Sequence, residues 1–421
     1  MLAALVGATM LTAPPIPTPR QLEWHKMEVY AFVHFGPNTF TGKEWGDGKE
    51  DPRRFNPTDL DCDQWVNTFK AAGMEGVIIT AKHHDGFCLW PSKFSSHTVA
   101  QSPWRGGKGD LLRELSQACR RAGIKFGVYL SPWDRNHPDY GTDKYNDQYV
   151  GALTEVLSNY GPVFEVWFDG ANGEGPNGKR QEYDWPRYHA VVRKLQPKAV
   201  MFSDAGPDIR WVGNESGIAP ETSWGMVPSG RYVPGTPHYK ELGEGAQTGD
   251  LYIPSECDVS IRPGWFYRPE EDSKVKTGAQ LFDLYMKSVG RNSNFLLNIP
   301  PDTRGRIHEN DIRALMDFKA RRDAAFGLPL AMRLSAKPGR VVATAKTKAG
   351  LAYLKLEEDI RRGQMISKFK VTDQDSGATI ATGTTIGNRR IMSVAGNMKS
   401  VVIEFEPPDA KLKKVTAYAR R

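Results

Sequence analysis

Four apolar runs in the first half of this 421-residue chain each end on side chains able to hydrogen-bond, and those ends are where chemistry is to be sought. Val33-His34-Phe35-Gly36 closes the first, and Ala81-Lys82-His83-His84-Asp85-Gly86-Phe87 closes the second. Val128-Tyr129-Leu130-Ser131-Pro132-Trp133 ends the third, and Val166-Trp167-Phe168-Asp169-Gly170 the fourth. Three histidines, a tyrosine and a carboxylate, with aromatic residues beside them, offer donors and acceptors at several angles plus an apolar wall. A neutral polyhydroxylated ligand requires that combination. Singly, each residue has a plainer reading: a packed histidine at a strand end, Asp169 as a helix N-cap or turn residue, Asp85 as a turn residue before Gly86. A metal-dependent hydrolase built on His83, His84 and Asp85 is a rival. Against it, adjacent strand residues point to opposite faces, and no H-x-H or H-E-x-x-H accompanies the pair.

The elements that must position these residues alternate in type. Strand-like runs cover residues 29–35, 76–81, 125–130, 163–168, 199–203 and 294–299, and helical patterns cover 63–72, 110–122, 146–160, 185–195, 277–289 and 309–320. Asp110 is an expected N-cap, and Gly73 and Gly123 are expected helix stops. Repeated strand–helix units over this span predict a parallel (β/α)8-like barrel, whose catalytic groups project from the C-terminal ends of its strands. The sixth and seventh strands have no clear run, and residues 225–249 read as loop. Beyond Pro329 the period shortens to runs at 341–345, 351–356, 366–371, 378–381, 400–405 and 415–418, separated by turn residues such as Lys348-Ala349-Gly350. That pattern predicts a small antiparallel β-sandwich. The expected fold class is therefore α/β, with residues 1–19 an export-signal remnant or disordered tail, 20–328 the barrel and 329–421 the β-sandwich.

Composition narrows the partners. Hydrophobic residues at 39% and charged ones at 25% are ordinary globular usage, which excludes wholesale disorder. Cys62, Cys88, Cys119 and Cys257 are scattered without a C-x-x-C pair, so neither a zinc module nor a disulfide scaffold is indicated. From residue 331 onward 18 Lys and Arg stand against 8 Asp and Glu, whereas the first 330 residues hold 38 against 41. The basic residues alternate with strand-forming apolar ones, as in Lys368-Phe369-Lys370-Val371, so a solvated β face is expected and nucleic acid is not. No stretch is long enough for a membrane span. The start MLAALVGATMLTAPPIPTPR resembles the hydrophobic part of an export signal, and a periplasmic or extracellular location is expected.

Together VHFG at 33–36, KHHDGF at 82–87, Trp90-Pro91-Ser92, GVYLSPW at 127–133 and VWFDG at 166–170 resemble the retaining α-L-fucosidases of glycoside hydrolase family 29. WVGNESG at 211–217 resembles the branch acting on α-1,3/1,4-linked fucose, and TTIGNRR at 384–390 resembles the family's C-terminal β domain. The resemblance implies hydrolysis of terminal fucose by double displacement, with a fucosylated glycan as partner and no cofactor or metal. It implies Asp169 as nucleophile and Glu215 as general acid/base, with Glu256 of PSECDVS in reserve. His34, His83, His84 and Tyr129 match positions holding the fucose hydroxyls, and Glu44, Trp45 and Trp265 match weaker sugar-binding positions. Chemically, such a reaction needs one carboxylate to attack C1 and one carboxylic acid to protonate the leaving oxygen. Another retaining exo-glycosidase on the same barrel, or a sugar-binding protein that has lost catalysis, are the alternatives.

Overall fold

The computed structural model describes residues 13–235 and 239–420, so most of the expected export segment, residues 1–12, lies outside the described residues. Eight parallel strands close into a barrel: β1 (Val29–Val33), β2 (Gly76–Lys82), β3 (Lys125–Leu130), β4 (Glu165–Trp167), β5 (Val200–Ser203), β6 (Ile209–Trp211), β7 (Ser255–Ser260) and β8 (Asn294–Asn298). Closure is made where Val29 pairs with Phe295 and Ala31 with Val77. Strand β1 shows why the chain folds this way. Val29, Ala31 and Val33 face the surrounding helices, while Tyr30 and Phe32 face the barrel interior, in the period of two that a pleated strand imposes. The interior is filled by Tyr30, Phe32, Tyr129, Trp167 and Phe202, stacked over Trp24, whose short helix Pro19–His25 begins with a Thr18–Gln21 capping box.

Six helices cover the barrel: α1 (Cys62–Ala71), α2 (Leu111–Ala122), α3 (Asp143–Asn159), α4 (Trp185–Leu195), α5 (Gly278–Ser288) and α6 (Glu309–Phe326). Asp110 caps α2 by accepting from the Arg113 N–H, and Gly123 ends it in the left-handed region, as expected.

Strands β6 and β7 are the two that the sequence pattern left unplaced. The first has three residues, joined to β5 without a helix, and its middle residue is a fully buried arginine. Arg210 donates to the carbonyls of Leu242 (2.6 Å), Trp224 (2.8 Å) and Ile253, so its charge is satisfied by loop backbone. In β7 Glu256 and Asp258 are likewise buried, which removes the apolar signature of an interior strand. Residues 225–249, read as loop, do contain Met226–Val227, paired with Leu251–Tyr252, and a short helix Tyr239–Glu244.

The C-terminal part is antiparallel: β9 (Met332–Lys337), β10 (Arg340–Glu358), β11 (Lys368–Asp373), β12 (Thr379–Gly383), β13 (Arg390–Glu406) and β14 (Leu412–Ala419), with Pro329–Leu330 on the edge of β14. Here two expectations are corrected. Residues 341–345 and 351–356 are not separate strands divided by a turn, because Lys348-Ala349-Gly350 is a bulge within β10, with a register shift between Thr344 and Ala349. Likewise β13 begins ten residues before the expected run at 400–405. The first half of β10 pairs with β9 and the second half with β14, so one sheet folds over a single core that includes Val341, Leu354, Phe369 and Ile403. The result is a sandwich made from a bent sheet.

Candidate active site

The strand ends deliver their polar residues to one place. Asp169 lies two residues beyond β4; its Oδ2 accepts from the Tyr129 hydroxyl at 2.9 Å and its Oδ1 from the Ala171 N–H at 2.8 Å. Gly170 leaves room for Asp204, since a Cβ there would meet Asp204 Oδ2 at 2.2 Å and force that carboxylate to move. His84 Nε2 stands 3.6 Å from Asp169 Oδ2, while its Nδ1 is 2.8 Å from Ser131 Oγ. Because the Ser131 hydroxyl donates to the Trp133 carbonyl, the network puts the ring proton on Nδ1 and leaves Nε2 an acceptor. His34 is held alike, its Nδ1 2.9 Å from Asn298 Oδ1, while the Asn298 amide donates to Ser260 Oγ and the Trp265 carbonyl. Burial lowers all three histidines, His34 to about 3, with neighbouring rings adding to the effect at His34 and His83 and Asp169 opposing it at His84. They are neutral imidazoles, suited to uncharged hydroxyls.

His83 and His84 lie past the end of β2, so the strand pleat does not separate them. Their rings are 4.2 Å apart on the same side, which corrects the expectation of opposite faces. Lys82 and Asp85, which bracket them, serve the loops instead. Lys82 Nζ pairs with buried Asp134 at 2.8 Å and with the Tyr145 hydroxyl at 2.9 Å, and Asp85 accepts from the Phe87 N–H at 2.7 Å.

Glu215 follows β6 and receives the Trp265 indole N–H on Oε2 at 3.3 Å. Although its side chain stays open to solvent, the packed walls around it raise its pKa, and the charges of Asp169 and Glu44 add to the rise while the Trp265 indole opposes it. Asp169 and Glu215 both line a cavity of about 630 Å³, together with Trp167, Asp204, Trp211 and Asp258. The imidazole–aromatic cluster adjoins this cavity through Tyr129 and His84 at Asp169, and through Trp265 at Glu215. Trp265 lies 5.0 Å from His34, ring to ring.

Glu44 is tied to the segment that carries Trp265. Its Oε1 accepts from the Trp265 backbone N–H at 2.6 Å and its Oε2 from Arg268 at 2.5 Å, so it fixes Trp265 in place. Trp45 is exposed at the rim, edge-on to His84 and Trp133. Glu256, the reserve acid/base, is buried inside the barrel, gripped by the Tyr30 hydroxyl and the Trp167 indole (2.9 Å), and it does not line the cavity. Two carboxyl groups of the cavity were missed in the sequence. Asp258 accepts from Trp211 Nε1 at 2.7 Å, and its pKa is raised by burial and by Glu215. Asp204 directly follows β5, and burial beside Asp169 raises it to about 6. Alternation along β7 puts Glu256 and Asp258 on one face, a signal available only once that strand is placed. Among the described residues no group of three or more His, Cys, Asp or Glu side chains is arranged to hold a metal ion.

A carboxyl pair at the C-terminal ends of barrel strands, beside neutral imidazoles and tryptophan walls, defines a carbohydrate-processing barrel enzyme. The family model described as alpha-L-fucosidase matches residues 16–320. The chain belongs to the α-L-fucosidase family and is a glycoside hydrolase acting on fucosylated substrates. It is 38% identical to alpha-L-fucosidase 1 of Arabidopsis thaliana, an alignment covering 96% of this chain and 87% of that one. A solved glycoside hydrolase 29 family member from an unknown rumen bacterium superposes with a TM-score of 0.90 at 42% identity, over 97% of this chain and 78% of that one. A Ruminococcus gnavus fucosidase of the same family, in complex with fucose, gives 0.85 at 28% identity, over 97% and 96% of the two chains.

Proposed function

We propose that this α-L-fucosidase is a retaining, exo-acting enzyme that removes α-1,3/1,4-linked fucose from branched glycans, with Asp169 as nucleophile and Glu215 as general acid/base. The observation that carries the division of labour is the contrast between the two carboxyl groups lining one cavity. Two donors aimed at Asp169, one on each oxygen, suit an anion. Glu215, raised by its surroundings, suits an acid that arrives protonated. In the first step an Asp169 oxygen bonds to C1 as the C1–O bond to the aglycone breaks, and Glu215 gives its proton to the departing oxygen. In the second, Glu215 takes a proton from water as that water bonds to C1, and the ester to Asp169 breaks, so two inversions restore the α configuration. The neutral histidines and Tyr129 would hold the hydroxyls, and Trp265 and Trp45 would wall the ring.

The linkage reading is supported by the WVGNESG segment and by the breadth of the cavity, which continues past the carboxyl pair along Trp211 and residues 180–183. It is tested with Lewis-type trisaccharides, an α-1,2-fucosyl oligosaccharide and 4-nitrophenyl α-fucoside. Higher kcat/KM on the branched trisaccharides than on the α-1,2 oligosaccharide is expected, and the reverse order contradicts the reading. We also propose export, supported by the apolar start; finding intact Met1 in a cytosolic fraction would count against it.

A further inference from the structure

We propose that the C-terminal β domain positions the general acid/base, with Thr385, Arg390 and Gln364 as positioning residues; this rests on the reading of Glu215 given above. Glu215 sits in a turn after a three-residue strand, on the long connection from β6 to β7, whose described residues hold the short helix Tyr239–Glu244 and the two-residue strands Met226–Val227 and Leu251–Tyr252. Apart from the short link from β5 to β6, the other strand-end loops of the barrel run into a long covering helix. Here the next stretch of chain, residues 219–225, crosses to the β domain instead.

The crossing is densely hydrogen-bonded. The Ser223 N–H donates to Thr385 Oγ1 at 2.9 Å, and the Gly225 N–H to Gln364 Oε1 at 2.6 Å. Gln364 Nε2 donates back to the Ser223 carbonyl at 3.0 Å. Thr222 and Thr384 hydroxyls meet at 2.9 Å, and Arg390 donates to the Glu221 carbonyl at 2.8 Å and pairs with its carboxylate. Thr385 and Gln364 are each only 1% exposed, so these bonds do not compete with water. From the barrel side Ala219 N–H donates to the Lys287 carbonyl and Arg291 donates to the Ala219 carbonyl, each at 2.8–3.0 Å. Between Ala219 and Glu215 the chain is cross-braced by Asn214, whose Oδ1 accepts from the Ser216 N–H and whose Nδ2 donates to the Ile218 carbonyl. A displacement of residues 219–225 is therefore passed to Glu215 rather than absorbed. The TTIGNRR segment acts as a strut, and general acid catalysis is the step most sensitive to its loss, because proton donation depends on hydrogen-bond reach to the leaving oxygen.

The test uses the full chain, in Thr385→Val, which keeps side-chain shape, in Arg390→Met and in Glu215→Ala. For each, kcat/KM is measured on aryl α-fucosides spanning leaving groups from 2,4-dinitrophenol to unsubstituted phenol, with inhibition by free fucose as a check on sugar binding and thermal midpoints as a check on folding. Glu215→Ala is expected to steepen the dependence on leaving-group acidity strongly. Thr385→Val and Arg390→Met are expected to steepen it less, losing about tenfold on phenol and under about threefold on dinitrophenol, with fucose inhibition unchanged. If either strut variant fails to fold, the other carries the test; Gln364→Leu replaces both if needed. An equal loss on all leaving groups, or no loss on any, would overturn the proposal while the steepened Glu215→Ala series stood. An unsteepened Glu215→Ala series would instead overturn the acid/base reading itself.

Discussion

Tyr129 presents its hydroxyl to Asp169 and its ring to both Trp167, 5.3 Å away, and His83, 5.9 Å away. Tyr129→Phe keeps both ring contacts and deletes the donor to Asp169, the proposed nucleophile. A charge-assisted hydrogen bond of this kind contributes about 1.5–3 kcal/mol, so kcat/KM should fall roughly ten- to a hundredfold with the thermal midpoint little changed. Steady-state kinetics beside a melting curve checks both. For Glu215 the sign of the pH dependence follows from its role. Its raised pKa keeps the acid protonated into a less acidic range, so kcat/KM should hold at acidic pH and fall as pH rises through that raised value. Glu215→Gln should lose this alkaline limb along with most activity on poor leaving groups. At this scale the placement of His34, His83, His84, Tyr129, Asp169 and Glu215 at one end of the barrel was legible, because short motifs carry them, while their roles rest on the proposal above. The hydrogen bonds of Glu44 to Trp265 and Arg268 were not legible, because their partners lie more than 200 residues away in the chain. Asp204 directly follows the run at 199–203 and was passed over, whereas Asp258 was invisible because its strand could not be placed.

Strands β4 and β7 bring two glutamates together inside the barrel, Glu165 and Glu256, both fully buried. Glu256 has donors on both oxygens, from Tyr30 and Trp167, and Glu165 faces Glu256 with Trp24 and Tyr30 beside it. Burial raises both pKa values, and the Glu256 charge raises Glu165 further, so Glu165 carries the proton. Raised folded values mean that the native state holds more protons than the unfolded chain once pH exceeds the unfolded carboxyl value. The pair's stabilisation is therefore complete below about pH 4.3 and is lost as pH rises through the folded values. Glu165→Gln supplies a permanent amide donor in place of that proton. It should be nearly neutral at about pH 5 and gain about 1–3 kcal/mol relative to wild type at about pH 8, read by urea unfolding at the two values. An unchanged pH slope in the variant would contradict the assignment. The same buried charges explain which elements could be read in advance. Six barrel strands declared themselves as apolar runs, but Arg210 in β6 and Glu256 and Asp258 in β7 break that pattern and are satisfied only by distant partners. The long strand β10 was read in two pieces because a bulge and a turn have the same residue composition, and of β13 only the run at 400–405 was read.

Barrel and β domain meet through aromatic packing as well as the polar strut, with Phe326 of α6 lying 5.2 Å from Tyr353 and 5.1 Å from Tyr418, ring to ring. The basic excess after residue 331 sits on such a domain: Arg389 and Arg390 are buried at the junction with Glu28 and Glu221, and Lys368 and Lys370 alternate with buried Phe369 and Val371. We therefore expect no salt-sensitive gel shift with DNA or RNA at physiological ionic strength; a shift that weakens steeply with salt would contradict this. The activity of the whole molecule turns on which carboxyl attacks and which donates. The measurement that tests this most directly is the NMR configuration of the fucosyl azide released when Glu215→Ala turns over 2,4-dinitrophenyl α-fucoside in sodium azide. With Asp169 still forming the covalent intermediate, and azide replacing the water that has lost its base, the product should be the α-azide, of retained configuration. Formation of the β-azide would mean that azide had displaced the leaving group directly, and that Glu215, not Asp169, is the nucleophile.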